Sequence, residues 1–188
     1  TKKKIFQSIK NKDRKVCNLV SIGVHWDRKG MHKAIKLTEK MNKNGQLTKL
    51  FIIGAKPPKN FSIPKNVLII KFLDKNTDRA KFYKLLSKIH FHILFSKTEA
   101  FGVVNSEASA FGIYTITHNI GGIGGGIIDN INGYKFSKNK NIDEISNYII
   151  SIFKNKKNFL KKSYSSRNMY EKKLSWEVIG KKLKKIIN

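Results

Sequence analysis

The stretch FHILFSKTEAFGVVNSEASAFGIYTIT, residues 91–117, decides how the rest of the chain is read. It opens with FHILFS (Phe91–Ser96), an almost unbroken apolar run of the length of a buried strand. A polar stretch containing Gly102 follows, then a helix expected to begin near Val103, then GIYTIT (Gly112–Thr117), a second buried strand. Two such strands joined by a helix are parallel neighbours linked by a right-handed crossover.

The same alternation extends to both sides. CNLVSIG (Cys17–Gly23), KLFIIGA (Lys49–Ala55) and NVLIIKFL (Asn66–Leu73) read as strands one to three, and GYKFS (Gly133–Ser137) as a short sixth. KGMHKAIKLTEKMNKNG is a helix closed by Gly45, and TDRAKFYKLLSKI a helix with Thr77 as expected N-cap. After Asn141 the chain is expected to be helical, with Ser175 capping the last segment, SWEVIGKKLKKIIN. No internal repeat is visible. The expected fold class is α/β, a Rossmann-like, doubly wound parallel sheet of six strands flanked by helices. Ligands in such folds sit at the carboxyl ends of the strands, here the loops after strands one, three, four and five.

The chain carries 39 Lys+Arg against 12 Asp+Glu, a formal charge of +27. Only four of the basic residues are Arg (Arg14, Arg28, Arg79, Arg167), and Lys, Asn and Ile fill 79 of 188 positions. That bias is the surface drift of an AT-rich genome, and a nucleic-acid reader would favour the planar fork of Arg. A functional basic face toward nucleic acid or anionic lipid is the lesser reading. The lone cysteine, Cys17, forms no internal disulfide and reads as a buried thiol. No apolar run reaches the length of a membrane span and no hydrophobic signal opens the chain, so a soluble, cytoplasmic protein is expected. The chain starts at Thr1 on a polar arm, TKKKIFQSIKNKDRK, as a piece of a longer protein would.

Three loops carry candidate chemistry. After strand one, GVHWDRKGM places Gly23, Arg28 and Lys29 at a helix start, where cations oppose the helix dipole unless an anion lies between them. Two solvated charges are an equal alternative. After strand four, the amides of Phe101, Gly102, Val103 and Val104 point out of a helix end and form an anion site. Glu99 precedes that helix and Glu107 lies one turn in; a carboxylate accepts two hydrogen bonds and matches a vicinal diol. The bland alternative is an exposed Glu99 and a Glu107 that complements the dipole. After strand five, five glycines within Gly121–Gly126 form a loop read as too flexible for packing alone. A dinucleotide fingerprint would have to open a helix, so a backbone-lined phosphate or sugar loop fits better. His90 and His92 alternate, and are expected to share one face of the strand as structural histidines without further metal ligands. His118 ends strand five beside the glycine loop, where it reads as a plain loop residue or, as the lesser reading, a contact to a bound ligand.

SKTEAFGVVNSEASAFGIYTITHNIGGIGGGIIDNINGYKF resembles the donor-binding core of the retaining glycosyltransferases of family 4, which have the GT-B fold. Glu99, Phe101, Gly102, Glu107, Ala108, Ala110, Gly112, Gly121, Gly122, Asp129, Asn132 and Gly133 fall on the family pattern. WDRKGM resembles its Lys-Gly segment and LSWEVIGKKL its closing tryptophan helix, so the likeness runs from Cys17 to the C-terminus. The resemblance implies that Glu107 binds the ribose hydroxyls and Glu99 a hydroxyl of the donor hexose. The Gly102–Val104 amides would hold sugar and diphosphate, Lys29 would neutralise the departing diphosphate, and Phe72 and Leu73 would face the base. It further implies metal-independent transfer with retention from a nucleotide diphosphate sugar, with uridine as the expected base, and no other cofactor.

The sequence departs from that family in three ways. Val24 and His25 stand where the family has Arg, with Arg28 as the expected substitute. Gly124–Gly125 replace a Pro-Glu pair. No N-terminal acceptor domain is present, so an inactive fragment is expected. The implied organisation is an arm over residues 1–16, a donor domain over 17–172, and a last helix over 173–188 that crosses back to the other domain. The full protein would build polysaccharide or glycolipid, with possible peripheral contact at the inner membrane face. Another GT-B enzyme, such as a nucleotide-sugar epimerase, and a basic nucleic-acid-binding domain are the alternatives.

Overall fold

The computed structural model describes residues 2–74, 77–100 and 102–187. Six parallel strands are ordered β3-β2-β1-β4-β5-β6: β1 (Cys17–Ile22), β2 (Thr48–Ile53), β3 (Val67–Ile70), β4 (Phe91–Leu94), β5 (Tyr114–His118) and β6 (Gly133–Phe136). The order reverses between β1 and β4, which opens a crevice at the carboxyl ends of those two strands.

Helices cover both faces, as the apolar strands require. On one face α2 (Met31–Lys43) and α5 (Ile142–Lys154) bury Ile35, Leu37, Ile149 and Phe153 against Leu19, Leu50 and Ile93. On the other, α3 (Arg79–Leu86) and α4 (Val103–Ala110) set Phe82, Leu86 and Ala108 over Val20 and Ile53. Cys17 is buried in the first of these clusters with its thiol free.

The structure differs from the sequence reading at several ends. β3 stops at Ile70, because its sole partner β2 ends at the paired residue Ile53. Asp78, not Thr77, caps α3: the first helical bond, from Phe82 N, is accepted by Asp78 O at 2.9 Å. The segment expected as a polar arm is helical, α1 (Lys2–Lys10), and its Ile9 is buried. Gly112 makes room for it, since a Cβ there would lie 2.4 Å from Ile9 Cδ1. After α6 (Lys156–Met169) the chain makes a π-helical turn, Tyr170–Leu174, before α7 (Trp176–Ile187). Ser175 caps α7 as expected, its Oγ accepting from Val178 N at 3.3 Å. Among the described residues, no helix is long and apolar enough to cross a membrane.

Candidate functional site

The loop from β1 to α2 brings a lysine across the crevice. Gly30, the N-cap of α2, has φ 69° and its Cα faces the end of β4; a Cβ would lie 2.2 Å from Phe95 O. Lys29 is thereby fixed at the sheet edge. Its stem passes Gly23, where a Cβ would lie 2.7 Å from Lys29 Cγ, so a side chain at 23 would block the path. Lys29 Nζ donates to Glu99 Oε2 at 2.6 Å, and Ser96 Oγ donates to the same oxygen at 3.1 Å. The two side chains are only 9% and 10% exposed. The fold has therefore joined two of the expected catalytic residues, 70 positions apart, into a buried ion pair. Arg28 does not join them: its side chain is exposed, and its carbonyl accepts Lys97 N at 2.8 Å.

Beyond Glu99 the chain enters α4 through Gly102, a left-handed N-cap with φ 69°. No side chain caps this end, so the first-turn amides and the helix dipole stay available to an anion. Val103 is exposed and Val104 packs against Leu94, Ile123 and Ile127. Phe101, also expected here, lies outside the described residues. Glu107, one turn in and half-buried, lines a cleft of about 750 Å³ with Val103, Arg79, Tyr83, Phe111 and Trp176. Phe72 is exposed, Leu73 packs onto the core between α3 and the sheet, and neither lines that cleft.

The glycine loop packs, where the sequence reading has it too flexible for packing alone. Gly121–Gly125 form a 3₁₀ turn, and Gly122 N donates to Glu99 O at 3.0 Å. Cβ atoms at Gly121 and Gly122 would fall 2.2 Å from Glu99 O and 1.7 Å from Ala100 O. The pair thus serves as the surface against which the Glu99–Ala100 backbone rests. Asn132 ties the turn to β6, accepting from Ile128 N and donating to Gly126 O, both at 2.8 Å. Asp129 Oδ1 accepts Lys135 N at 2.8 Å.

His118 is buried, stacked on Phe95 at 4.7 Å, and accepts from Lys33 Nζ at 3.0 Å. Burial, then the charges of Lys33 and Lys138, push its pKa down to about 4. His90 and His92 do not share surroundings. His90 precedes β4 and sits against Phe153 and Phe159, whereas His92 within the strand bonds Thr115 Oγ1 at 3.3 Å. Burial, with nearby lysines, lowers each to about 3. Among the described residues no group of three or more His, Cys, Asp or Glu is placed to hold a metal.

One polar residue near the site, Asn105, is absent from the sequence reading, and a second, His92, is read there only as a structural histidine. Asn105 and His92 are fully buried, and Asn105 Nδ2, Asn105 Oδ1 and His92 Nε2 lack hydrogen-bond partners. The available signal was an Asn on the inward face of α4, in register with Ala108 and Ser109.

The six-stranded parallel sheet, with helices on both faces and a switch point between β1 and β4, has the Rossmann-like architecture of GT-B glycosyltransferase domains. The family model "Glycosyl transferases group 1" matches residues 1–173, and the chain belongs to that family. A search of curated proteins finds no match. Among solved structures, WaaG, a glycosyltransferase involved in lipopolysaccharide biosynthesis, is 16% identical with a TM-score of 0.72, covering 91% of this chain and 47% of its own. Anabaena Alr3699/HepE in complex with UDP-glucose is 13% identical with a TM-score of 0.73, covering 99% and 52%. The C-terminal domain of the group 1 glycosyl transferase LpcC from Francisella tularensis is 17% identical, with a TM-score of 0.67 and 94% of both chains covered. The chain therefore spans about half the length of the first two and nearly all of the isolated C-terminal domain.

Proposed function

We propose that this domain binds a nucleotide diphosphate sugar, with uridine as base, and forms the donor half of a glycosyltransferase. The observation that carries this reading is the Lys29–Glu99 pair set beside the uncapped N-terminus of α4, with Glu107 one turn away on the cleft wall. The α4 amides take the diphosphate, Lys29 offsets the charge that develops on it, and no metal is needed for that task. Glu107 takes the ribose hydroxyls and Glu99 a hydroxyl of the hexose. That one neighbour of this fold is described in complex with UDP-glucose supports the choice of uridine.

In the longer protein, a second domain would bring the acceptor to this cleft for transfer with retention, in polysaccharide or glycolipid synthesis. The α7 face bearing the exposed Trp176, Leu183 and Ile186 would cover part of that domain, and the Lys-rich surface suits anionic lipid. Calorimetric titration of the chain with UDP, GDP, ADP and their glucose derivatives tests the reading. UDP compounds are expected to bind, and Glu107→Ala to weaken them by about 1.5–3 kcal/mol, roughly 10- to 150-fold. Binding of every nucleotide alike, salt-sensitive and indifferent to Glu107→Ala, would show a general polyanion surface instead.

A further inference from the structure

Asn105 stands in the first turn of α4, wholly buried, with neither side-chain polar atom hydrogen-bonded. A carboxamide in that condition destabilises a fold, because it gives up its bonds to water and gains none in return. Leucine would serve the same inward position, which Ala108 also occupies, without that cost. Such costs are retained where binding or chemistry needs the group.

The position of the carboxamide names the need. Nδ2 lies 2.5 Å from the point where a Cβ on Gly102, the N-cap of α4, would stand, and Glu99 Cγ lies 3.5 Å from that same point. The unpartnered N–H group is therefore aimed at the open helix end and borders the Glu99–Lys29 pair. Glycine at 102, at φ 69°, leaves the space between them empty of side chain. The backbone amides of the helix end and this side-chain amide converge on one small volume. The helix dipole favours negative charge at the same place.

We propose that Asn105 is a further donor-binding residue, its Nδ2 donating a hydrogen bond to a phosphate oxygen of the nucleotide sugar seated at the N-terminus of α4. This rests on the donor-site reading above. The residue keeps its carboxamide unsatisfied in the free domain and satisfies it on the ligand, so stability and binding are set against each other at one position. A purely structural Asn105, satisfied for example by a buried water, would show no such opposition.

Asn105→Leu and Asn105→Ala in the full 188-residue chain separate the two. Thermal unfolding and calorimetric titration with uridine, UDP and UDP-glucose are measured on each. Asn105→Leu is expected to raise Tm by about 2–8 °C while weakening UDP and UDP-glucose about 10- to 150-fold and leaving uridine unchanged. Asn105→Ala keeps the same loss of affinity should leucine pack poorly. Variants that bind UDP as the native chain does overturn the assignment. A loss seen with UDP-glucose and not with UDP overturns the phosphate contact in favour of a sugar hydroxyl. If the native chain itself binds none of these nucleotides, the donor-site reading fails and this assignment falls with it; native binding with unaltered variants sinks Asn105 alone.

Discussion

Glu99→Ala is expected to lower the unfolding free energy of the domain by about 3–5 kcal/mol, although the residue lies in a loop at the sheet edge. The loss comes from Lys29. With its partner gone, an ammonium only 9% exposed is left with no other ion-pair partner among the described residues. Lys29→Met is expected to cost a similar amount, since it strands Glu99 against Ser96. The double variant Lys29→Met/Glu99→Leu should recover most of the loss, because an apolar pair of similar volume carries no desolvation penalty. Urea unfolding of the native chain, Lys29→Met, Glu99→Leu and the double variant closes the cycle and gives the coupling energy directly. A coupling below about 1 kcal/mol would mean that the pair behaves as a solvated surface bridge. The double variant is also expected to bind no donor, which separates the pair's structural role from its functional one.

Acidification between pH 6.5 and 4 should unfold the domain more steeply than its carboxylates would require. His90, His92 and His118 are buried and neutral in the fold, with pKa values lowered from 6.5 to about 3, 3 and 4. In that window the unfolded chain binds more protons than the folded one, so stability rises with pH. The contribution is complete above pH 6.5 and is lost as pH falls toward the folded values. Each histidine gives about 1.4 kcal/mol per pH unit, so the three together approach about 4 kcal/mol per unit in the middle of the window. Lys12, lowered by burial to about 7 from 10.5, adds a rise of the same sign at higher pH. Urea midpoints at pH 7.5, 6 and 5 read the slope, and His92→Gln should reduce it by one proton. A midpoint unchanged from pH 7.5 to pH 5 would show that the rings are protonated within the fold.

Most of the architecture was legible because apolar strands and amphipathic helices are written locally. β1, β2, β4, β5 and β6 fall within a residue or two of the apolar runs that announce them. β3 was overlong in the reading because its end is set by the length of its neighbour, which is not a property of its own residues. The helical α1 reads as an arm because four of the nine residues of KKKIFQSIK are lysine, while packing of Ile9 against Gly112 and of Phe6 against Tyr164 gives it its place.

The site was legible as an inventory and not as an arrangement. The pattern of Glu99, Gly102 and Glu107 follows one local strand-to-helix turn, so spacing alone placed both carboxylates correctly with respect to α4. The glycines at 121 and 122 were found but misjudged, since a run of glycine signals flexibility until a backbone is known to press against it at Glu99 and Ala100. Arg28 and Lys29 were adjacent in sequence and equal in promise. The tertiary structure separated them by turning one into the crevice and the other to solvent.

By itself the sequence determined the α/β class, the crossovers and the turn that presents Glu99 and Glu107, because each is encoded by periodicity or spacing within about thirty residues, and it carried the family through the likeness of its motifs. The partnership of Lys29 with Glu99, the packed state of the glycine turn and the orphaned carboxamide of Asn105 were decided only by tertiary structure. Each depends on which groups meet across the sheet edge, and burial turns those meetings into free energy through the loss of water around charge and hydrogen-bonding groups.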